Sequence, residues 1–173
     1  MFRLLNWLLL AAFSLSLCLN AAAANSVSDA NTVCNFDSQK QIAVDYERLQ
    51  TAAGKKMLGN SVAYGKIWAP GGKPLTLFTN TPISIDGKNI ADGAYTMFII
   101  PEENSWTLVI SKSTDMSGKY DETGDIARIP MQVGKLPAAE PEFTAYFAHV
   151  APNECNLRLD MDKARAWVGF QRK

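Results

Sequence analysis

Four residues in one short stretch have side chains suited to holding a ligand: Tyr64, Lys66, Trp68 and Lys73. Aromatic faces beside cations can take a sugar ring, a peptide or an anionic headgroup. Gly71 and Gly72 between them would let a ligand come close to the backbone. A packing role explains the same residues, with Tyr64 and Trp68 plugging the end of a β-structure and the lysines in water. Trp167, on the outward phase of a late strand, is a second candidate for an exposed aromatic.

Other chemistry is sparse. His149 is the single histidine, at an inward-phase position of a strand, and no G-x-S-x-G stretch supplies a serine nucleophile for it. A structural role is expected of it. Two cysteines and one histidine make a poor metal site, so no metal and no cofactor are assigned. Asp115, Asp121, Glu122 and Asp125 crowd one loop and could offer hard oxygen ligands, but their spacing is not that of an EF-hand and solvated loop acids explain them equally well. A carboxylate pair for glycoside hydrolysis could be drawn from many acids, and spacing along the chain selects none. Lys plus Arg equals Asp plus Glu at 17 each, with no basic run, which argues against nucleic acid.

The N-terminus sets the compartment. Arg3 precedes an apolar run interrupted by Asn6 and two serines, and Ala22-Ala23-Ala24 forms a small-residue cleavage site. This reads as a signal peptide over residues 1–24 rather than a membrane anchor, because the run is short for a span. Leu17 is too bulky for the position before a lipoprotein cysteine at Cys18. Residues 25–173 would then form one domain without a further membrane span, periplasmic or secreted, with acids one ahead of bases once Arg3 is lost. Two cysteines survive, Cys34 and Cys155, and in an exported chain an even pair reads as a disulfide. Two buried thiols or a metal pair are the other readings.

The elements that position these residues are strands. Residues 33–36 and 41–46 form a hairpin, and residues 47–58 read as an irregular connection with a helical turn at most, because Gly54 and Gly59 interrupt the spacing of Leu49, Ala52, Ala53 and Met57. Asp86-Gly87 between isoleucines is a hairpin signal. Residues 94–100 are apolar on both faces, which predicts a central strand, ended by Pro101 and followed by a polar turn into residues 106–110. Later strands are expected at 129–133, 143–150, 155–161 and 164–170. A proline-broken connection spans 134–141, and Asp162-Lys163 makes a turn. In the 155–161 strand Cys155, Leu157, Leu159 and Met161 face in, and Asn156, Arg158, Asp160 and Asp162 face out. About ten short strands and no convincing long helix predict an all-β fold, an antiparallel β-sandwich, jelly-roll-like or a partly closed barrel.

The ordered set YGKIW (64–68), GKNIADGAYTMFIIP (87–101) and WTLVISK (106–112) resembles the exported bacterial proteins of domain of unknown function 2911. CNF (34–36), VDY (44–46), GKLP (134–137) and CNLRLDMD (155–162) extend the match across nearly the whole mature chain. The cysteine pair resembles that of acidobacterial-type members. The resemblance implies a compact β-sandwich in an envelope or secreted setting and supplies no activity. The chain departs from the family pattern at residues 69–76, where the usual Arg, Asn and Glu are missing, and at Met161-Asp162, where Trp-Glu is usual. A polar cluster built on those residues would be lost or rebuilt here.

Together these readings favour a non-enzymatic exported β-protein that binds a small molecule, a glycan or an envelope protein. A carboxylate-dependent hydrolase of an envelope polymer and a purely structural envelope subunit are the alternatives.

Overall fold

The computed structural model describes residues 26–37, 39–51 and 55–173. The signal-peptide reading falls outside them. Among the described residues no helix is long and apolar enough to cross a membrane. The described residues form nine antiparallel strands, in chain order β1 (Ser26–Asn35), β2 (Gln41–Gln50), β3 (Leu75–Thr79), β4 (Ile83–Ile85), β5 (Lys88–Ile90), β6 (Gly93–Pro101), β7 (Trp106–Ser111), β8 (Asp125–Ala151) and β9 (Glu154–Arg172). Their order in the sheet is β1-β2-β3-β6-β7-β8-β9-β4-β5. A further pairing of Gln50 with Glu142 joins β2 to β8, so β2, β3, β6, β7 and β8 form a partly closed five-stranded barrel. Thr51 donates to Pro141 O from both its backbone N and its hydroxyl, each at 3.0 Å, beside that seam.

The all-β antiparallel expectation holds, and of the closures considered the barrel is the one adopted. The turn chemistry explains local detail. Asp86 and Gly87 have φ of 47° and 75°, the left-handed pair of a type I′ turn joining Ile85 to Lys88. Strand β6 is central, and both of its faces are covered. Met97 and Ile99 are fully buried on the inner side. On the outer side Phe98 meets the Tyr120 ring edge-on at 5.1 Å. Trp106, Phe143 and Phe170 are the largest fully buried side chains of one continuous core.

Three expectations need correction. The four late strands are two long bent ones. Residues 134–141 stay within β8, and β9 pairs with β8 on either side of them, with register shifts between Lys135 and Glu140 and between Glu140 and Thr144. Pro137 and Pro141 fall where the ladder is interrupted, so their missing N–H groups cost no pairing. Asp162 bends β9 opposite this irregularity through a φ of 54° and does not end the strand. Second, Asp160 and Asp162 are buried, at 4% and 8% exposure, not outward. Asp160 is held by Arg165 through two bonds of 2.8 and 2.6 Å. Asp162 accepts from Met57 N (3.1 and 3.0 Å) and Leu58 N (2.8 Å). Each buried carboxylate thus has compensating donors. Third, β2 runs on to Gln50, so Glu47 lies on a strand and not in a connection.

Cys34 and Cys155 are disulfide-bonded, with Cα atoms 6.4 Å apart. The bond ties the end of β1 to the start of β9, as the cysteine count predicted.

Candidate functional site

Side chains on the outer face of β1, β2, β3 and β6 fall into rows set by the strand register. One row runs Val33, Ala43, Phe78, Ala94, and the next Asn31, Asp45, Thr76, Thr96. The third pairs Asp29 with Glu47. Cross-strand neighbours lie on the same side of a sheet, so an apolar shelf borders a polar and acidic floor. Val33 and Phe78 are 44% and 43% exposed, high for residues of their size.

Two loops wall this floor. The turn Pro70–Gly72 lies directly on Glu47, which is why a glutamate on the outer phase of β2 is only 8% exposed. Gly71 has φ of 72°, and a Cβ there would overlap the Glu47 side chain, so the close approach requires glycine. Lys73 follows the turn and places Nζ 2.6 Å from Glu47 Oε1. The second wall is the loop of residues 112–124. Its Met116 sulfur accepts a bond from Thr76 Oγ1 at 3.3 Å, and Thr96 Oγ1 donates to Ser113 O at 2.9 Å. Gly118 (φ 79°) packs against Gly72 O so closely that a Cβ would overlap it. The result is a groove of about 720 Å³ lined by Asp29, Asn31, Asp45, Glu47, Lys73 and Thr76, among others. Such a volume suits a small ligand.

The hydrogen bond from Lys73 to Glu47 and the attraction of that carboxylate, with a smaller contribution from Asp29, hold the ammonium above the usual lysine range. Asp29 and Asp45 have no side-chain hydrogen bond or ion pair among the described residues. The groove therefore offers free carboxylates, an amide, a hydroxyl and one anchored ammonium, a mixed set of donors and acceptors.

The sequence candidates separate in space. Lys73 lines this groove. Tyr64 is half-buried and lines a different cavity of about 580 Å³, with Glu102, Lys135 and Leu136. Trp68 is half-buried, its ring edge-on to Phe143 at 5.1 Å, and its backbone N and O pair with Ile99 at 2.8 and 3.0 Å. Lys66 is exposed. Trp167 is half-buried, with its ring over Gly134. Asp29 and Glu47 escaped sequence reasoning because β1 begins earlier and β2 ends later than the apolar alternation indicates, and Asp45 because its neighbours are set by strand register. The signal that could have found them is the polar alternation of Asp29, Asn31, Asp45 and Glu47 itself.

Three of the four acids that cluster in the sequence, Asp115, Asp121 and Asp125, serve local structure. Asp115 accepts from Ser117 N at 2.8 Å and Asp121 from Thr123 N at 3.0 Å, bonds that hold both carboxyls below the usual aspartate range. Asp125 accepts from Tyr120 Oη at 2.5 Å and from Arg128 Nε at 2.9 Å. Burial, then the bond to Asp125, pushes the Tyr120 phenol up to about 12, against the opposing pull of Arg128. His149 is exposed, and its two ring nitrogens lie 3.0 Å from Ala151 O and 2.9 Å from Asn35 O.

No curated protein and no solved structure matches the chain. A family model described as protein of unknown function (DUF2911) matches residues 28–170. With the match covering most of its length, the chain belongs to the DUF2911 family.

Proposed function

We propose that this protein is an exported binding module of the bacterial envelope, and that its ligand is a glycan or similarly polyhydroxylated small molecule held in the groove over β1, β2 and β3. One observation carries the reading. Asp29, Asn31, Asp45, Lys73 and Thr76 present alternating acceptors and donors beside the apolar row of Val33 and Phe78. A sugar ring needs both, since its hydroxyls pair with carboxylate and amide groups while its C–H face lies on an apolar side chain. The alanine-rich cleavage site and the disulfide support the exported setting. Lys73 would supply the cation of a polar cluster rebuilt where the family's arginine is absent.

Calorimetric titration of the mature chain with peptidoglycan fragments and neutral oligosaccharides tests the proposal. Saturable 1:1 binding is expected. Asp45→Ala and Lys73→Ala should each weaken it about tenfold or more, because a hydrogen bond to a charged group contributes about 1.5–3 kcal/mol. Heat-flat titrations with folded protein would refute the reading and favour the structural-subunit alternative.

A second reading rests on the same floor. Asp29 and Glu47 are direct cross-strand partners, with Cβ atoms about 4.5–5.5 Å apart by strand geometry, and Asp45 lies two residues from Glu47. A pair of groove carboxylates flanking a bound sugar could hydrolyse its glycosidic bond. Reducing ends accumulating during the titration, and lost in Asp45→Asn or Asp29→Asn, would convert the binding module into a hydrolase.

A further inference from the structure

His149, Cys34 and Cys155 meet where β1 ends and the β8–β9 hairpin turns. His149 is the register partner of Cys155, and a register shift between His149 and Ala151 marks a local irregularity beside it. One ring nitrogen and the two sulfurs all lie within 4.8 Å of one another. The cysteines are 2% and 1% exposed, whereas the imidazole faces solvent. Two soft donors are therefore buried beside an exposed imidazole whose ring nitrogens face the carbonyls of Ala151 and Asn35.

We propose that the reduced chain binds one thiophilic d¹⁰ cation of the Zn²⁺ or Cu⁺ class through Cys34 Sγ, Cys155 Sγ and one nitrogen of His149, with the disulfide as the closed form of this site. The geometry requires little movement. Tetrahedral Zn²⁺ with its usual bond lengths sets sulfurs about 3.8 Å apart and sulfur and nitrogen about 3.5 Å apart. Cysteines whose Cα atoms are 6.4 Å apart reach that separation by side-chain rotation, with the strands in place. The outer shell is already present. Each ring nitrogen faces a backbone carbonyl, so when one turns to coordinate, Asn35 O or Ala151 O lies close enough to accept the N–H of the other. That second bond is how metal-binding histidines are commonly fixed in tautomer and orientation. The exposed imidazole provides the entry path, and a fourth position stays open to water or a second ligand.

The steps balance. A dithiol reductant gives two electrons and two protons to the Cys34–Cys155 bond and becomes its own disulfide. The cation then displaces the two thiol protons to solvent and coordinates the unprotonated nitrogen of His149. The sequence reading assigned these three residues no metal because two cysteines and one histidine are too few ligands for a closed site, and the register that sets His149 beside Cys155 is a property of the folded hairpin.

Tag-free mature protein, oxidised or reduced with a non-coordinating phosphine, is titrated with Co²⁺ as a spectroscopic stand-in and then with Zn²⁺. The reduced chain should show a thiolate-to-cobalt charge-transfer band and tetrahedral visible bands at one equivalent, displaced by Zn²⁺, while the oxidised chain shows neither. His149→Ala should raise Kd at least about tenfold, the lower end of what loss of even an outer-shell partner costs. A reduced chain that keeps its near-ultraviolet dichroism yet develops no cobalt band overturns the proposal. Should the reduced chain unfold, Zn²⁺ must refold it, since binding free energy then appears as folding free energy; failure to refold overturns it equally. Cobalt bands unchanged in His149→Ala would also sink the three-ligand site.

Discussion

Replacing both bridging cysteines, Cys34→Ala with Cys155→Ala, should cost this protein about 5 kcal/mol. The bond closes a loop with a sequence separation of 121. The chain-entropy relation for that length gives about 16 cal/mol/K of lost denatured-state entropy, or about 5 kcal/mol at 25 °C. Little native strain should offset it, because the joined Cα atoms lie within the usual disulfide range. A domain stable by about 5–15 kcal/mol would lose a third or more of its margin. The assay is equilibrium urea unfolding of residues 25–173, oxidised, phosphine-reduced and doubly substituted. With a slope of about 2 kcal/mol/M, the midpoint should fall by about 2 M or more. Reduced wild type separates the cross-link from the two small cavities left by the missing sulfurs. The entropic argument fails if the oxidised protein, shown by intact mass to carry the bond, is less than about 1 kcal/mol more stable than the reduced one.

Further outcomes follow from local geometry. Gly118→Ala should lose more stability than Gly87→Ala, although both glycines have positive φ, because a Cβ at Gly118 also meets Gly72 O while one at Gly87 meets open space; strain alone accounts for about 1–2 kcal/mol at each, and equal midpoints would refute the loop contact. Asp162→Ala should cost about 2–4 kcal/mol by orphaning two buried N–H groups, whereas Asp162→Asn keeps an acceptor and tolerates φ of 54° and should cost under half as much; indistinguishable urea midpoints would count against this. One of the five tyrosines, Tyr120, should ionise at about 12 in an ultraviolet titration. Its folded value lies above the unfolded one near 10, so its contribution is intact below pH 10 and is lost as pH rises towards 12. In Tyr120→Phe that alkaline decline should shrink, and an unchanged decline would assign it elsewhere.

The legible part of the fold was the part governed by local chemistry. Asp86-Gly87 dictated a hairpin because two positive φ values are needed there, and the doubly apolar run at 94–100 dictated a covered strand. The bend in β8 and β9 was not legible, since proline and Asp162 signal an interruption equally well whether the chain leaves the sheet or bends within it. Asp160 read as outward because its partner Arg165, five residues on, becomes a neighbour only once Asp162 has bent the strand. In the groove, Lys73 was legible as a cation near glycines, but Asp29 and Asp45 become neighbours only through strand register. Trp68 illustrates the converse: an aromatic among polar residues reads as a ligand platform, while Phe143, distant in sequence, holds it against the core.

The seam between β2 and β8 bears on the order in which the chain acquires its shape. Strands β6 to β9 form a meander in which each strand pairs with the next along the chain, so each pairing closes a short loop. Closing the barrel instead brings Gln50 to Glu142 through a single pairing and must wait for both flanks. The meander should therefore assemble first as a template, with the β1–β2 hairpin arriving last and the disulfide locking it there. Pulse-labelled amide exchange should accordingly find protection across 93–172 before 26–50, and the reverse order would show that the N-terminal hairpin nucleates the barrel. During that interval β2 is an unpartnered hairpin edge, so slow closure is the moment at which one chain could pair with another instead of with itself.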